Sequence, residues 1–258
     1  MKINKSASRT VDLLSLLSQH KKPMTLTEIS SQLKIPKSST FEIVYTLVEK
    51  GFLEVDDDQL KTFKMGMKLF EVGVSFLNHT DLHQISRPLL DELMAKTGDT
   101  VFLAVEDNGE IVYLDKVESY SSAIRSNALL GSRNKMYYTG LGKALLASYS
   151  NEKVKQIIGS GSLPTRTDRT IKHYEELILE LAKIRERGFS IDDRESEPEL
   201  YCFAAPIYDR SGKAVAAVSV ATLYSKVTPE TYAKFSQSIV ETGLEISKRL
   251  GYIGKRLY

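Results

Sequence analysis

The feature that most constrains this 258-residue chain is a pair of short amphipathic runs held three residues apart near its start. Thr25 to Glu28 has capping-box spacing, with a Thr oxygen for the third amide and a Glu reaching back. It opens a short helix running through Ile29 and Leu33. Lys34-Ile35-Pro36 then leads into a longer run, Lys37 to Lys50, whose buried face is predicted as Ile43, Val44, Leu47 and Val48, with Gly51 as a left-handed cap. A three-residue joint allows only a tight turn, so the layout is helix-turn-helix. Ahead of it, Ser8 to Leu17 places Val11, Leu13, Leu14, Leu16 and Leu17 mainly on one helical face, and Lys21-Lys22-Pro23 stops that helix.

The second helix of the pair begins Lys37-Ser38-Ser39-Thr40. Hydroxyls and free first-turn amides bond phosphate oxygens, and small side chains let a helix sit deep in the major groove. Such a cluster also serves as an ordinary helix cap. Phe52 to Val55 and Leu60 to Lys64, joined by Asp56-Asp57-Asp58, read as a hairpin directly after the helix, and a hairpin there is a wing. With the wing, DNA binding outweighs the plain cap. The DNA-contacting candidates are Arg9, Lys37, Ser38, Ser39, Thr40, Glu42, Tyr45 and Lys64.

Charge supports that reading weakly. Residues 1–53 hold eight Lys/Arg against four acids, a net of +4, leaving −2 on the other 205 residues. Composition bounds the rest: 42% hydrophobic and 26% charged residues are ordinary for a soluble globular protein. No apolar run approaches the roughly 20 residues of a bilayer span, and the start lacks a signal-peptide pattern. A cytoplasmic protein without a membrane segment is expected. One cysteine, Cys202, and four scattered histidines offer neither a disulfide nor metal-ligand spacing, and no cofactor is expected.

Beyond the wing, Met67 to Leu77 carries an apolar stripe with little polar opposition and wants a partner. Asp81 to Thr97 is a further helix. Strands are predicted at 100–106 and 110–117 around an Asn108-Gly109 hairpin turn, with others at 123–128, 189–193, 202–208 and 214–222. Helices are predicted at 140–148, 151–158, 173–187 and 229–250. Hairpins and separate helices without regular βαβ alternation argue for an α+β domain with a largely antiparallel sheet. The expected division is 1–65 winged helix-turn-helix, 66–80 linker helix and 81–258 ligand domain.

Several blocks, in order, resemble the isocitrate-lyase-regulator (IclR) family of bacterial transcription factors, over nearly the whole chain. They are Arg9 and its helix, Leu26 to Ser30, Ile35 to Thr40, Glu49 to Leu53, Leu130 to Arg133, Tyr138 to Ala147, Gly188 to Glu195 running on to Glu197, Cys202 to Gly212 and Ala216 to Val220. The resemblance implies a GAF-like effector domain flanked by helices, dimers paired through N-terminal modules and linker helices, and often tetramers. It also implies a pocket at Ser126, Asn134, Gly140, Leu141, Asp192, Leu200, Cys202, Ser219 and Ala221. Amides opening a helix at Gly140 and Leu141 suit a carboxylate, Cys202 and Ser219 offer donors, and Asp192 offers an acceptor. Taken singly, Cys202 reads as a small buried hydrophobe and Asp192 as a turn cap.

Two departures from the family pattern stand out. Glu42 occupies a place where a basic residue is common, and a carboxylate accepts from cytosine N4 but repels phosphates. Ser126, Asn134 and Ala221 differ from glyoxylate-binding relatives and point to a more polar acid, such as a sugar acid. The expected function is a ligand-responsive regulator that binds double-stranded operator DNA and a small organic acid, as a homodimer or tetramer. One alternative is a ligand-independent DNA-binding dimer. Another is an enzyme using Cys202, which would need a base, whereas His20, His79, His83 and His173 all lie outside the pocket.

Overall fold

The computed structural model describes residues 3–20, 22–57, 59–78 (backbone alone for 76–78), 81–118 and 128–258. The chain divides into two compact units, residues 1–80 and 81–258.

In the first unit, Asn4 caps α1 (Lys5–Gln19) by accepting from the Ala7 amide at 3.1 Å. The Thr25 capping box forms: the Thr25 hydroxyl accepts from the Glu28 amide at 3.3 Å, and Glu28 Oε2 accepts from the Thr25 amide at 2.7 Å. It starts α2 (Leu26–Leu33). The turn into α3 (Lys37–Glu49) is held by the buried Ser30, whose hydroxyl donates to the Ile35 carbonyl at 2.7 Å. Leu13, Leu17, Met24, Ile29, Val44, Leu47, Leu53 and Phe63 form the core. The wing is β2 (Leu53–Asp57) with β3 (Thr62–Met65). β1 (Met24–Thr25), a two-residue strand not anticipated from sequence, pairs with the far side of β3. Nothing in a two-residue segment marks it as a strand until its partner is in place. α4 (Met67–Asn78) closes the unit, with Met67, Phe70 and Val72 exposed.

The second unit is built on one six-stranded sheet, in which every neighbouring pair is antiparallel. After α5 (Asp81–Thr97) come β4 (Thr100–Asp107) and β5 (Glu110–Val117), joined at Asn108 and Gly109. Both turn residues have positive φ, 53° and 78°, as a type I′ hairpin requires. β6 (Arg133–Lys135), β7 (Ser190–Asp193), β8 (Leu200–Tyr208) and β9 (Ala214–Leu223) complete the order β6-β5-β4-β9-β8-β7. The strand expected at 123–128 falls outside the described residues except for Ala128, which is not in a strand. β6 was not anticipated.

Both faces of the sheet are covered, so β8 is buried almost throughout. On one face, Phe203 meets Phe235 of α9 (Pro229–Arg249) edge-on at 5.7 Å, and Ala205 lies under Gly243. On the other, Cys202 and Ala204 lie under Gly140 at the start of α6 (Gly140–Ala147). Two more helices, α7 (Asn151–Ile158) and α8 (Tyr174–Arg187), complete the α6 side. The architecture is the expected α+β one: a helix-turn-helix unit and an antiparallel sheet between helices.

Candidate DNA-binding helix and effector cavity

α3 turns Val44 and Leu47 into the core. Lys37, Ser38 and Glu42 are exposed, and Ser39 is half-buried. Thr40 is a correction to the sequence reading. It is 1% exposed, on the inner face with Val44, and its hydroxyl donates to the Pro36 carbonyl at 3.1 Å, so it anchors the helix start and faces away from any duplex. Tyr45 is half-buried, its ring between Phe41 (4.3 Å) and Phe63 (5.7 Å). Lys64 is exposed, but Asp56 bonds its ammonium at 2.9 Å and raises its pKa. Arg9 is half-buried on α1. Phe41, 51% exposed beside Glu42, was missed. The available signal was spacing: Ser38, Phe41, Glu42 and Tyr45 follow i, i+3, i+4, i+7 along one stripe.

In the second unit, strand register brings together residues far apart in sequence. Asp192, Cys202 and Ala221 stand opposite one another across β7, β8 and β9, and Ser219 pairs with Phe102 across β9 and β4. These side chains, with Gly140, Leu141 and Leu200, line one cavity of about 30 Å³. All seven pocket candidates on these elements therefore converge. Asn134 lines an adjoining cavity of about 210 Å³, where its amide donates to Tyr113 Oη at 3.3 Å and accepts from Tyr138 Oη at 3.1 Å. Tyr113, Ser196 and Leu200 are shared walls of both cavities. Ser126 lies outside the described residues. Phe102, Tyr113, Thr139 and Ser196 were missed. The alternation of β5, which puts Ile111, Tyr113 and Asp115 on one face, was the signal for Tyr113.

The Thr139 hydroxyl accepts from the Gly142 amide at 3.1 Å and caps α6. The amides of Gly140 and Leu141, at the first turn, have no intrahelical acceptor. Asp192 is wholly buried. Its Oδ1 accepts from the amides of Glu195 (2.7 Å) and Ser196 (3.2 Å), and its Oδ2 accepts from the Ser196 hydroxyl at 2.5 Å. It thus holds the turn after β7 while forming part of the cavity wall. Burial raises its pKa, opposed by the nearby Lys143 ammonium. Burial also pushes the Cys202 thiol well up, with Asp192 adding to the effect, and both disfavour the thiolate that a nucleophile needs. Among the described residues no His/Cys/Asp/Glu cluster could hold a metal, and no helix is long and apolar enough to cross a membrane. A larger surface hollow of about 470 Å³, against α8 and β7, includes none of the candidate residues, and its Arg187 and Arg169 are paired with Glu180 and Asp193.

Two family models match the chain: the IclR helix-turn-helix domain over residues 6–57, and the bacterial transcriptional regulator IclR C-terminal domain over residues 74–248. The HTH-type transcriptional regulator XynR of Escherichia coli K12 is 30% identical over 252 residues, covering 98% of this chain and 99% of the relative. The transcriptional repressor IclR of the same strain is 32% identical over 253 residues, covering 97% and 91%. The crystal structure of the Thermotoga maritima IclR superposes with a TM-score of 0.81 at 32% identity, covering 96% of this chain and 99% of that one. Both curated relatives are transcription regulators.

Proposed function

The chain belongs to the IclR family of bacterial transcriptional regulators, and from that premise we propose that it controls a small catabolic operon in response to a small organic or sugar acid. The observation that carries the reading is the convergence of Gly140, Leu141, Asp192, Leu200, Cys202, Ser219 and Ala221 on one cavity at the start of α6. Two uncommitted helix amides there suit a carboxylate, with the helix dipole behind them. Occupied ligand pockets usually measure about 300–1,000 Å³. At about 30 Å³ the inner cavity holds only the acid end, so the body of the effector extends past Tyr113 and Leu200 into the roughly 210 Å³ cavity beside Asn134.

DNA binding is assigned to α3, with Lys37 on phosphate and Glu42 on base edges. The exposed Met67, Phe70 and Val72 of α4 support pairing into a dimer, the dimer setting the distance between two recognition helices. Half-sites lie about 34 Å or a multiple apart, and an effector acts by binding one arrangement more tightly than another.

The experiment is a thermal-shift screen of organic and sugar acids, followed by calorimetric titration of Ser219→Ala with the best acid. Loss of the serine hydroxyl is expected to weaken that acid by about 1–3 kcal/mol while leaving operator affinity without ligand unchanged. Equal affinity of mutant and wild type places the ligand elsewhere. Absence of any stabilising acid favours a ligand-independent DNA-binding dimer.

A further inference from the structure

Three rings form a ladder from the core of the first unit to its surface. Phe63 on β3 is fully buried. Tyr45 of α3 presents an edge to it at 5.7 Å and 78°. Phe41, one turn earlier, lies against Tyr45 at 4.3 Å and 37°. The ladder leaves Phe41 51% exposed on the recognition helix, between Lys37 and Ser38 at the helix start and Glu42 beside it. Its ring is therefore braced from behind and half in water, on the stripe that a helix presents to a major groove.

An apolar ring held this way has one complementary feature in that groove. Phosphates, and the hydrogen-bonding edges of guanine, cytosine and adenine, offer it nothing, whereas thymine carries a C5 methyl group. Bracing by Tyr45 also means the ring loses little rotational freedom on docking. We propose that Phe41 reads a thymine methyl in each operator half-site, so that the recognition stripe combines an apolar reader with the carboxylate of Glu42. This rests on the operator-binding reading above and adds a sequence requirement to it.

The test uses the full chain and a duplex enriched from a random-sequence library by wild-type protein. Each thymine of the enriched duplex is replaced in turn by deoxyuridine, which removes only the methyl group. Burying one methyl contributes ~0.8 kcal/mol, so wild type is expected to bind about fourfold more weakly at one thymine per half-site. Phe41→Ala, at an exposed position, is expected to fold normally, to lose affinity for the thymine duplex and to be indifferent to the same replacement. Phe41→Leu should retain part of the methyl sensitivity.

If wild type binds every deoxyuridine duplex as tightly as the parent, or if Phe41→Ala keeps the full methyl effect, Phe41 reads no methyl. Loss of dimerisation in Phe41→Ala with methyl sensitivity intact gives the ring to a protein contact and also overturns the proposal. Failure to enrich any sequence refutes operator binding itself, a result distinct from enrichment followed by methyl-insensitive binding.

Discussion

Lys143 of α6, 1% exposed, meets Glu195 in a buried ion pair just beyond β7, and the other oxygen of that carboxylate has no partner among the described residues. Burial pushes Glu195 up to about 7 from an ordinary 4.5, against the pull of Lys143, and Asp192 is raised by the same cause. Between those two values the native carboxyl holds a proton that the unfolded chain has released. Stability contributed by Glu195 is therefore present below about 4.5 and falls as pH rises through 7. Chemical unfolding at a series of pH values from 4.5 to 8 should show this decline, and Glu195→Gln should flatten it. A wild-type profile that rises across the window contradicts the assignment. At pH 8, where Glu195 is ionised, Lys143→Ala removes the partner of a buried carboxylate and should cost about 3–5 kcal/mol.

Two glycines at the start of α6 should respond differently to the same change. A Cβ on Gly142 would sit 2.3 Å from the Met136 backbone, so Gly142→Ala must displace the helix. Loss of roughly 3 kcal/mol or more, or an insoluble product, is expected. A Cβ on Gly140 would meet Ala204 and Cys202 at 3.4 and 3.5 Å, close but tolerable contacts. Gly140→Ala should fold with a small change in Tm and lose binding of whichever acid the screen identifies. The reverse order of stabilities would show that α6 starts elsewhere.

Cys202 is 8% exposed and its thiol pKa is raised well above the ordinary value by burial. In native protein at pH 8 an aromatic disulfide reagent should leave it unmodified over many minutes, and denaturant should release one thiol per chain. Rapid native modification would mean an open, ionised cysteine and would reopen the question of chemistry at this site.

Lys37 is exposed at the N-terminus of α3 and makes no ion pair among the described residues, whereas Lys64 is already paired with Asp56. Lys37→Ala should weaken binding similarly on all sequences and reduce the salt slope by about one unit, because one phosphate contact is lost. Lys64→Ala should change the slope less. Glu42→Gln should instead alter base preference at one position per half-site by about 1–3 kcal/mol. Uniform tightening on all DNA would show that Glu42 only repels the backbone.

Local signals carried much of the architecture. The Thr25 capping box, the three-residue joint before Lys37 and the Asn108-Gly109 turn are each decided by neighbours within four residues, and each forms as the sequence implies. The positions of Asp192, Cys202, Ser219 and Ala221 came from family resemblance; their side chains meet because β7, β8 and β9 pair side by side in this register. The pairing of β4 with β9, more than a hundred residues apart, brings Phe102 to the cavity with no local mark, and β5, whose alternation was legible, brings Tyr113. Tertiary structure alone settled what partners do to a side chain. Thr40 turned inward beside Val44, and Lys64 was taken by Asp56 across the wing hairpin. Periodicity and capping act along the chain over a few residues, whereas burial, ion pairing and register depend on what arrives from elsewhere in the sequence.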